Sequence, residues 1–61
     1  MKTTIKLGLA RVATRSGGDR YEGQFPGEDR PFVLYIPQNF SRNVNTEPPI
    51  PEITVTFERK D

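Results

Sequence analysis

Apolar and polar residues alternate with a period of two along most of the chain, and this pattern predicts β-strands. In the first segment Ile5, Leu7 and Leu9 fall on one face. The phase changes after Leu9, because continued alternation would turn Arg11 inward and Val12 outward. A β-bulge near residues 8–11 restores the pattern, with Val12 inward and Arg11 outward.

Three further strands are predicted between turn signals. Residues 16–19 and 26–29 contain glycine in the composition of tight turns. Residues 20–25 follow the first turn as a short strand, and residues 53–57 alternate with their isoleucine, valine and phenylalanine inward. Residues 32–36 are apolar on both faces, which is typical of a central strand covered on two sides.

The segment between the last two strands is polar and rich in proline. Pro37 ends the third strand, and one helical turn is expected at residues 37–41 with Phe40 folded back on the core. Residues 48–51 are expected to be extended and rigid, as a connector that blocks a sheet edge or as a proline-motif ligand. The predicted fold is all-β, an antiparallel meander of four to five strands in one domain, residues 1–61, that could close into an OB-like or SH3-like barrel.

The composition adds a constraint on how such a small fold is stabilised. The chain has 61 residues, of which 33% are hydrophobic, and it contains no cysteine. A domain of this size is marginally stable alone, and no disulfide can stabilise it further. We therefore expect a homodimer. No signal peptide or apolar span of about 20 residues is recognisable, so a cytoplasmic protein that does not engage the membrane is expected.

Enzymatic chemistry is disfavoured by the residue types available. The chain has no histidine and no cysteine, so the commonest general base and the strongest nucleophile are missing. Glu28 and Asp29 are adjacent carboxylates, but a calcium loop needs six to eight oxygen ligands. We expect no catalytic residue, no metal site and no cofactor.

Charge is distributed unevenly, although the net charge is only +1. Residues 1–20 carry five basic side chains against Asp19, whereas residues 21–61 carry four basic and seven acidic ones. This asymmetry indicates a polyanion-binding end, complementary self-association, or an unevenly solvated surface.

Aromatic side chains accompany the basic ones in the first hairpin and beyond. Arginines that neutralise phosphates beside aromatic platforms are what single-stranded nucleic acid requires. The candidate nucleic-acid-binding residues are Arg11, Arg15, Arg20, Tyr21, Phe25 and Tyr35. Phe25 also fits the core with Phe32 and Phe57, whereas the two tyrosines are expected to be exposed because a phenol hydroxyl needs a polar partner or water.

The hairpin resembles that of the single-stranded DNA-binding proteins of filamentous phages, the gene V protein type. The similarity lies in Arg15-Ser16-Gly17-x-x-Arg20 after Thr14, with Lys2-x-x-Ile5-Lys6 before it, Pro31-Phe32-Val33-Leu34 after it and a final Thr54-Val55 strand. The resemblance implies a small OB-like barrel that dimerises and places a basic hairpin along DNA. It also implies phosphate contacts by Arg15 and Arg20, with base stacking by Tyr21 or Phe25.

A second interpretation is a small phage or bacterial regulatory protein that acts through protein–protein interaction. A net charge near zero, the rigid segment 48–51 and the apolar strand 32–36 favour docking on a host protein. The sequence alone leaves both interpretations open.

Overall fold

The computed structural model describes residues 1–42 and 48–60. In this part of the chain the secondary structure consists of four strands and one helical turn: β1 (Lys2–Arg11), β2 (Asp19–Gly23), β3 (Phe32–Ile36), α1 (Gln38–Ser41) and β4 (Glu52–Glu58). The all-β prediction is confirmed, and so is the single helical turn after Pro37.

The four strands form one antiparallel sheet in the order β3-β2-β1-β4, which curls into a half-barrel. β1, β2 and β3 follow one another as the predicted meander, but β4 returns to the far side of β1. The central position predicted for residues 32–36 is therefore wrong, because β3 lies at one edge of the sheet. Its apolar character instead reflects one face on the core and an outer face that carries the exposed Tyr35.

The predicted β-bulge is present. The register of β1 against β2 shifts between Leu9 and Arg11, and the alternation of side chains resumes with Arg11 outward. Val12 was expected to point inward, but it is 45% exposed. The reason is that β1 ends at Arg11, and the chain then leaves the sheet so that the Ala13 amide can reach the Asp19 carboxylate.

The core lies on the inner, concave face of the sheet. Its buried side chains are those of Ile5, Leu7, Tyr21 and Ile53. A cluster of Phe25, Phe32 and Phe57 extends the core, with ring centroids 4.8–5.5 Å apart, as expected from the sequence. Gly23 is required where β2 crosses this core, because a Cβ there would collide with the Leu7 side chain.

The described parts of the connector from β3 to β4, namely α1 and residues 48–51, lie at one end of the inner face. Ser41 is the buried residue of α1, whereas Phe40, which was expected on the core, is 67% exposed. A single helical turn can direct only one of two adjacent residues inward, and Ser41 takes that position to reach Asp19. The Leu9 amide donates to the Pro51 carbonyl at 2.9 Å, so this segment pairs with β1 beyond the start of β4. Among the described residues, no helix is long and apolar enough to cross a membrane.

Candidate functional site

Three side chains form a row across the outer face of the sheet. Arg11 of β1 is the register partner of Arg20 in β2, and Arg20 is the register partner of Tyr35 in β3. Directly opposed residues share a face, so both guanidinium groups and the phenol ring point away from the core. The ring of Tyr35 stands free, since the residue is 65% exposed. We call these three residues the Arg–Arg–Tyr row.

The row concentrates positive charge that the protein compensates only in part. Like charges directly opposite each other on two strands are destabilising. Arg20 pairs with Glu22 two positions along the same strand, at 3.0 Å. Within residues 1–42 and 48–60, neither Arg11 nor Arg15 forms an ion pair with an acidic side chain. Among the described residues, this end of the outer face therefore presents two cations without an acidic partner, Arg11 and Arg15, beside Arg20, which is paired with Glu22.

A shallow groove passes over the row and along the β1–β2 loop, residues 12–18. Its larger part has a volume of about 660 Å³ between the loop and the start of α1, with Arg15, Tyr35, Gln38 and Asn39 in its walls. A smaller part of about 240 Å³ adds Arg11 and Arg20 and shares Arg15 and Tyr35 with the first. We call the two parts together the basic groove.

A buried ion pair fixes the base of the loop. Asp19 has no exposed surface, and its carboxylate accepts hydrogen bonds from Ser41 Oγ at 2.6 Å, Arg42 Nη2 at 2.7 Å and the Ala13 amide at 2.8 Å. Arg42 also donates to the Ala13 carbonyl at 3.2 Å. The hydrogen bond from Arg42 holds the pKa of Asp19 far below its ordinary value, despite the burial that opposes ionisation.

The inward orientation of Asp19 affects the charge of the basic groove. Asp19 is the only acid among residues 1–20, and a carboxylate at this position on the surface would weaken anion binding. Because Asp19 is enclosed and neutralised by Arg42, its charge does not face the basic groove. The same hydrogen bond raises the pKa of Arg42, so the pair stays ionised across the physiological range.

The tip of the loop is held against β3 and α1. The Gln38 side-chain amide donates to the carbonyls of Arg15 at 2.6 Å and Gly17 at 2.9 Å. Gly18 lies so close to β3 that a Cβ there would stand 2.8 Å from the Tyr35 carbonyl carbon and 2.9 Å from the Ile36 nitrogen. The side chain of Arg15 is therefore presented from a backbone that is anchored at both ends.

Four of the six predicted site residues lie together in the basic groove, namely Arg11, Arg15, Arg20 and Tyr35. Tyr21 does not: the prediction that it is an exposed platform is wrong, because it is fully buried and its hydroxyl donates to the Ile50 carbonyl at 2.7 Å. Phe25 packs with Phe32 and Phe57 against the core, away from the groove.

Sequence reasoning missed the residues that support the site. Gln38 and Asn39 contribute to the groove wall, and Ser41 and Arg42 anchor the loop through Asp19. The predicted helical turn at residues 37–41 includes Gln38, Asn39 and Ser41. The hydrogen-bond partners of Gln38, Ser41 and Arg42, however, lie more than twenty positions away in the chain. Within the described part of the chain, no group of three or more His, Cys, Asp or Glu side chains is placed to hold a metal ion.

Comparisons of this chain with protein-family models, with curated proteins and with solved structures found no match.

Proposed function

We propose that this protein is a non-enzymatic single-stranded nucleic-acid-binding protein, most specifically for DNA, and that the basic groove is its binding surface. The observation that carries the proposal is the Arg–Arg–Tyr row, which sets an exposed aromatic ring in register with two adjacent arginines. Arg15, from the anchored loop, adds a third cation to the same groove. The proposed site residues are Arg11, Arg15, Arg20 and Tyr35.

The chemistry of a single strand accounts for this combination. Phosphates would lie against the guanidinium groups, relieve the repulsion between Arg11 and Arg20, and release counterions on binding. A base would stack on the face of Tyr35, with about 1–3 kcal/mol per stacked base and little dependence on sequence. Duplex DNA keeps its bases stacked inside the helix, so an exposed ring in the wall of a shallow groove favours the single strand.

The first test measures fluorescence anisotropy of labelled oligo-dT at about 20 mM salt and at increasing salt. Three neutralised phosphates predict a slope of log affinity against log salt of about −2. The double substitution Arg11→Ala and Arg15→Ala should weaken binding and reduce the slope to about −0.7. Arg30→Ala is the matched control, since Arg30 is an exposed arginine in the turn between β2 and β3, outside the groove.

The contribution of stacking is separated with Tyr35→Ala and Tyr35→Phe in the same titration. The alanine variant should bind about 5- to 150-fold more weakly with an unchanged salt slope, and the phenylalanine variant should keep its affinity. The assignment of the site would be contradicted if Arg30→Ala weakened binding as much as the Arg11→Ala/Arg15→Ala double substitution. It would also be contradicted if the double variant and Tyr35→Ala both bound with wild-type affinity.

A second candidate function is docking on a partner protein, as expected for a small phage or bacterial regulator. The observation in its favour is the position of β3, an apolar strand at the edge of the sheet, where an added strand could pair. The proline-rich segment 48–51 supports docking less, since Pro49 is buried and the Pro51 carbonyl accepts a hydrogen bond from the Leu9 amide of β1. Absence of oligo-dT binding at low salt, where electrostatic attraction is strongest, would favour this alternative.

A further inference from the structure

The larger part of the basic groove has the size and the lining of a site for one nucleotide. Its volume of about 660 Å³ falls within the range of about 300–1,000 Å³ that is typical of small-molecule sites. The exposed ring of Tyr35 and the ring of Pro37 supply apolar surface, and Ser16, Gln38 and Asn39 supply polar side chains. Proteins read the bases of a single strand with such groups, by stacking on an aromatic face and by hydrogen bonds to the base edge.

The side-chain amide of Gln38 is fixed in one orientation. Its nitrogen, Nε2, donates to the Arg15 carbonyl at 2.6 Å and to the Gly17 carbonyl at 2.9 Å. A primary amide has two N–H groups, so both are engaged. If the amide turned over, its oxygen would face two carbonyl oxygens and both hydrogen bonds would be lost. The anchored loop thus determines which way the amide points.

The oxygen of the same amide, Oε1, is left as an acceptor. Among the described residues it accepts no hydrogen bond, and it keeps part of its surface accessible. The Ser16 hydroxyl and the Asn39 amide are exposed and can rotate, so each can offer a ligand either a donor or an acceptor. Gln38 differs from them because it presents an acceptor that cannot convert into a donor.

We propose that this part of the basic groove is a base-reading subsite, in which Gln38 Oε1 accepts a hydrogen bond from the exocyclic amino group of a cytosine or adenine stacked on Tyr35. The inference rests on the proposed function, since the arginines of the groove must first hold the strand. Cytosine N4 and adenine N6 are amino donors, whereas thymine and uracil carry an acceptor oxygen, O4, at the corresponding position. Two acceptors facing each other have no proton to share, so the subsite favours cytosine and adenine.

The size of this preference follows from the strength of one hydrogen bond. A single neutral hydrogen bond contributes little net free energy because water competes for both partners, and it corresponds to about a two- to tenfold difference in affinity. The phosphate contacts and the stacking on Tyr35 are available to every base. Oligo-dT should therefore still bind, but more weakly than an oligomer whose bases carry the amino group.

The test compares oligo-dC with oligo-dU of equal length in the anisotropy titration at low salt and neutral pH. Cytosine and uracil share one ring and differ where the first carries an amino group and the second an oxygen. The wild-type protein should bind oligo-dC about two- to tenfold more tightly than oligo-dU. An oligomer of 2-pyrimidinone, which carries only hydrogen at this position, should also bind more weakly than oligo-dC.

The ratio of the two affinities separates base reading by Gln38 from its support of the loop. Gln38→Ala removes the acceptor, so the preference for oligo-dC should disappear, even if the loop loosens and both affinities decrease. A purely structural role would weaken both oligomers equally and leave their ratio unchanged. Asn39→Ala is the matched control, because it removes a rotatable amide from the same wall; it should keep the wild-type ratio.

The outcomes distinguish this inference from the proposed function. Equal or tighter binding of oligo-dU, or a preference for oligo-dC that survives in Gln38→Ala, overturns the base-reading subsite and leaves single-strand binding in place. Absence of binding to all three oligomers contradicts the proposed function and the subsite with it. If Gln38→Ala does not fold, the wild-type protein decides, since equal affinities for oligo-dC and the 2-pyrimidinone oligomer overturn the subsite.

Discussion

Asp19 shows how one residue type acquires a role that its position in the sequence does not reveal. As the only acid among residues 1–20, it resembles a solvated turn residue. In the structure its two carboxylate oxygens are shared among a hydroxyl, a guanidinium group and a backbone amide. A buried carboxylate is tolerated only when such partners replace water, so Asp19 joins β2, α1 and the loop at one point.

The first residue-level prediction concerns this carboxylate. Asp19→Asn keeps the shape but removes the carboxylate charge that accepts hydrogen bonds from Ser41, Arg42 and the Ala13 amide, and it should reduce the free energy of unfolding by about 3 kcal/mol at pH 7. The folded pKa is lowered, so the stabilisation is fully present above the ordinary pKa of 3.8 and is lost as the pH falls below it. Urea denaturation between pH 7 and pH 2.5 measures both effects.

The control for this prediction is Asp29→Asn in the exposed turn between β2 and β3. It should leave the unfolding free energy within about 0.5 kcal/mol of the wild type. A wild type and an Asp19→Asn variant with the same pH dependence below pH 4 would show that the ion pair does not stabilise the fold.

At the scale of single elements, the β1–β2 loop is the segment that most directly sets the geometry of the basic groove. Its Arg15 and Gly17 carbonyls accept hydrogen bonds from the Gln38 side chain. Its last glycine, Gly18, lies against the backbone of β3. The loop therefore has little freedom to move Arg15 relative to Tyr35. Preorganisation of this kind reduces the entropy lost on binding, since the cation is already close to its binding position.

Gly18→Ala tests this packing. The new Cβ would come within 3 Å of the backbone at Tyr35 and Ile36, where no flexible side chain can yield, and the variant should lose about 2 kcal/mol of stability. Gly8→Ala is the control, because nothing lies within 4 Å of a Cβ at that position. Chemical denaturation compares the two, and similar stabilities for them would contradict the close approach.

The sequence could predict those elements that depend on local alternation. The strands, the bulge and the helical turn follow from the phase of apolar residues and from the positions of proline and glycine. The same rule also shows why one site prediction was wrong. Arg20 and Tyr21 are neighbours on one strand, so they point to opposite faces and cannot both line the same groove.

The remaining features depend on contacts between distant parts of the chain. The position of β3 at an edge depends on the path of a long connector, which periodicity does not encode. Phe40 is exposed because its neighbour Ser41 points inward, where its hydroxyl donates a hydrogen bond to Asp19, 22 positions away in the chain. Burial of Tyr21 is tolerated because the Ile50 carbonyl, 29 positions further along the chain, accepts a hydrogen bond from its hydroxyl.

At the scale of the whole molecule, the two faces of one sheet differ in character. The outer face bears threonine, lysine and glutamate side chains and, at one end, the Arg–Arg–Tyr row. The inner face bears the buried core and the partly buried apolar side chains packed around it.

The contrast between the two tyrosines gives the protein an internal pair of optical reporters. The chain has no tryptophan, so its ultraviolet emission comes from Tyr21 and Tyr35 alone. Tyr35 is 65% exposed and Tyr21 has no exposed surface. Acrylamide should therefore quench one ring in the native state and reach the other only after unfolding. A ligand that protects Tyr35 from quenching or nitration would reveal occupancy of the groove without any label, while Tyr21 records whether the protein is still folded.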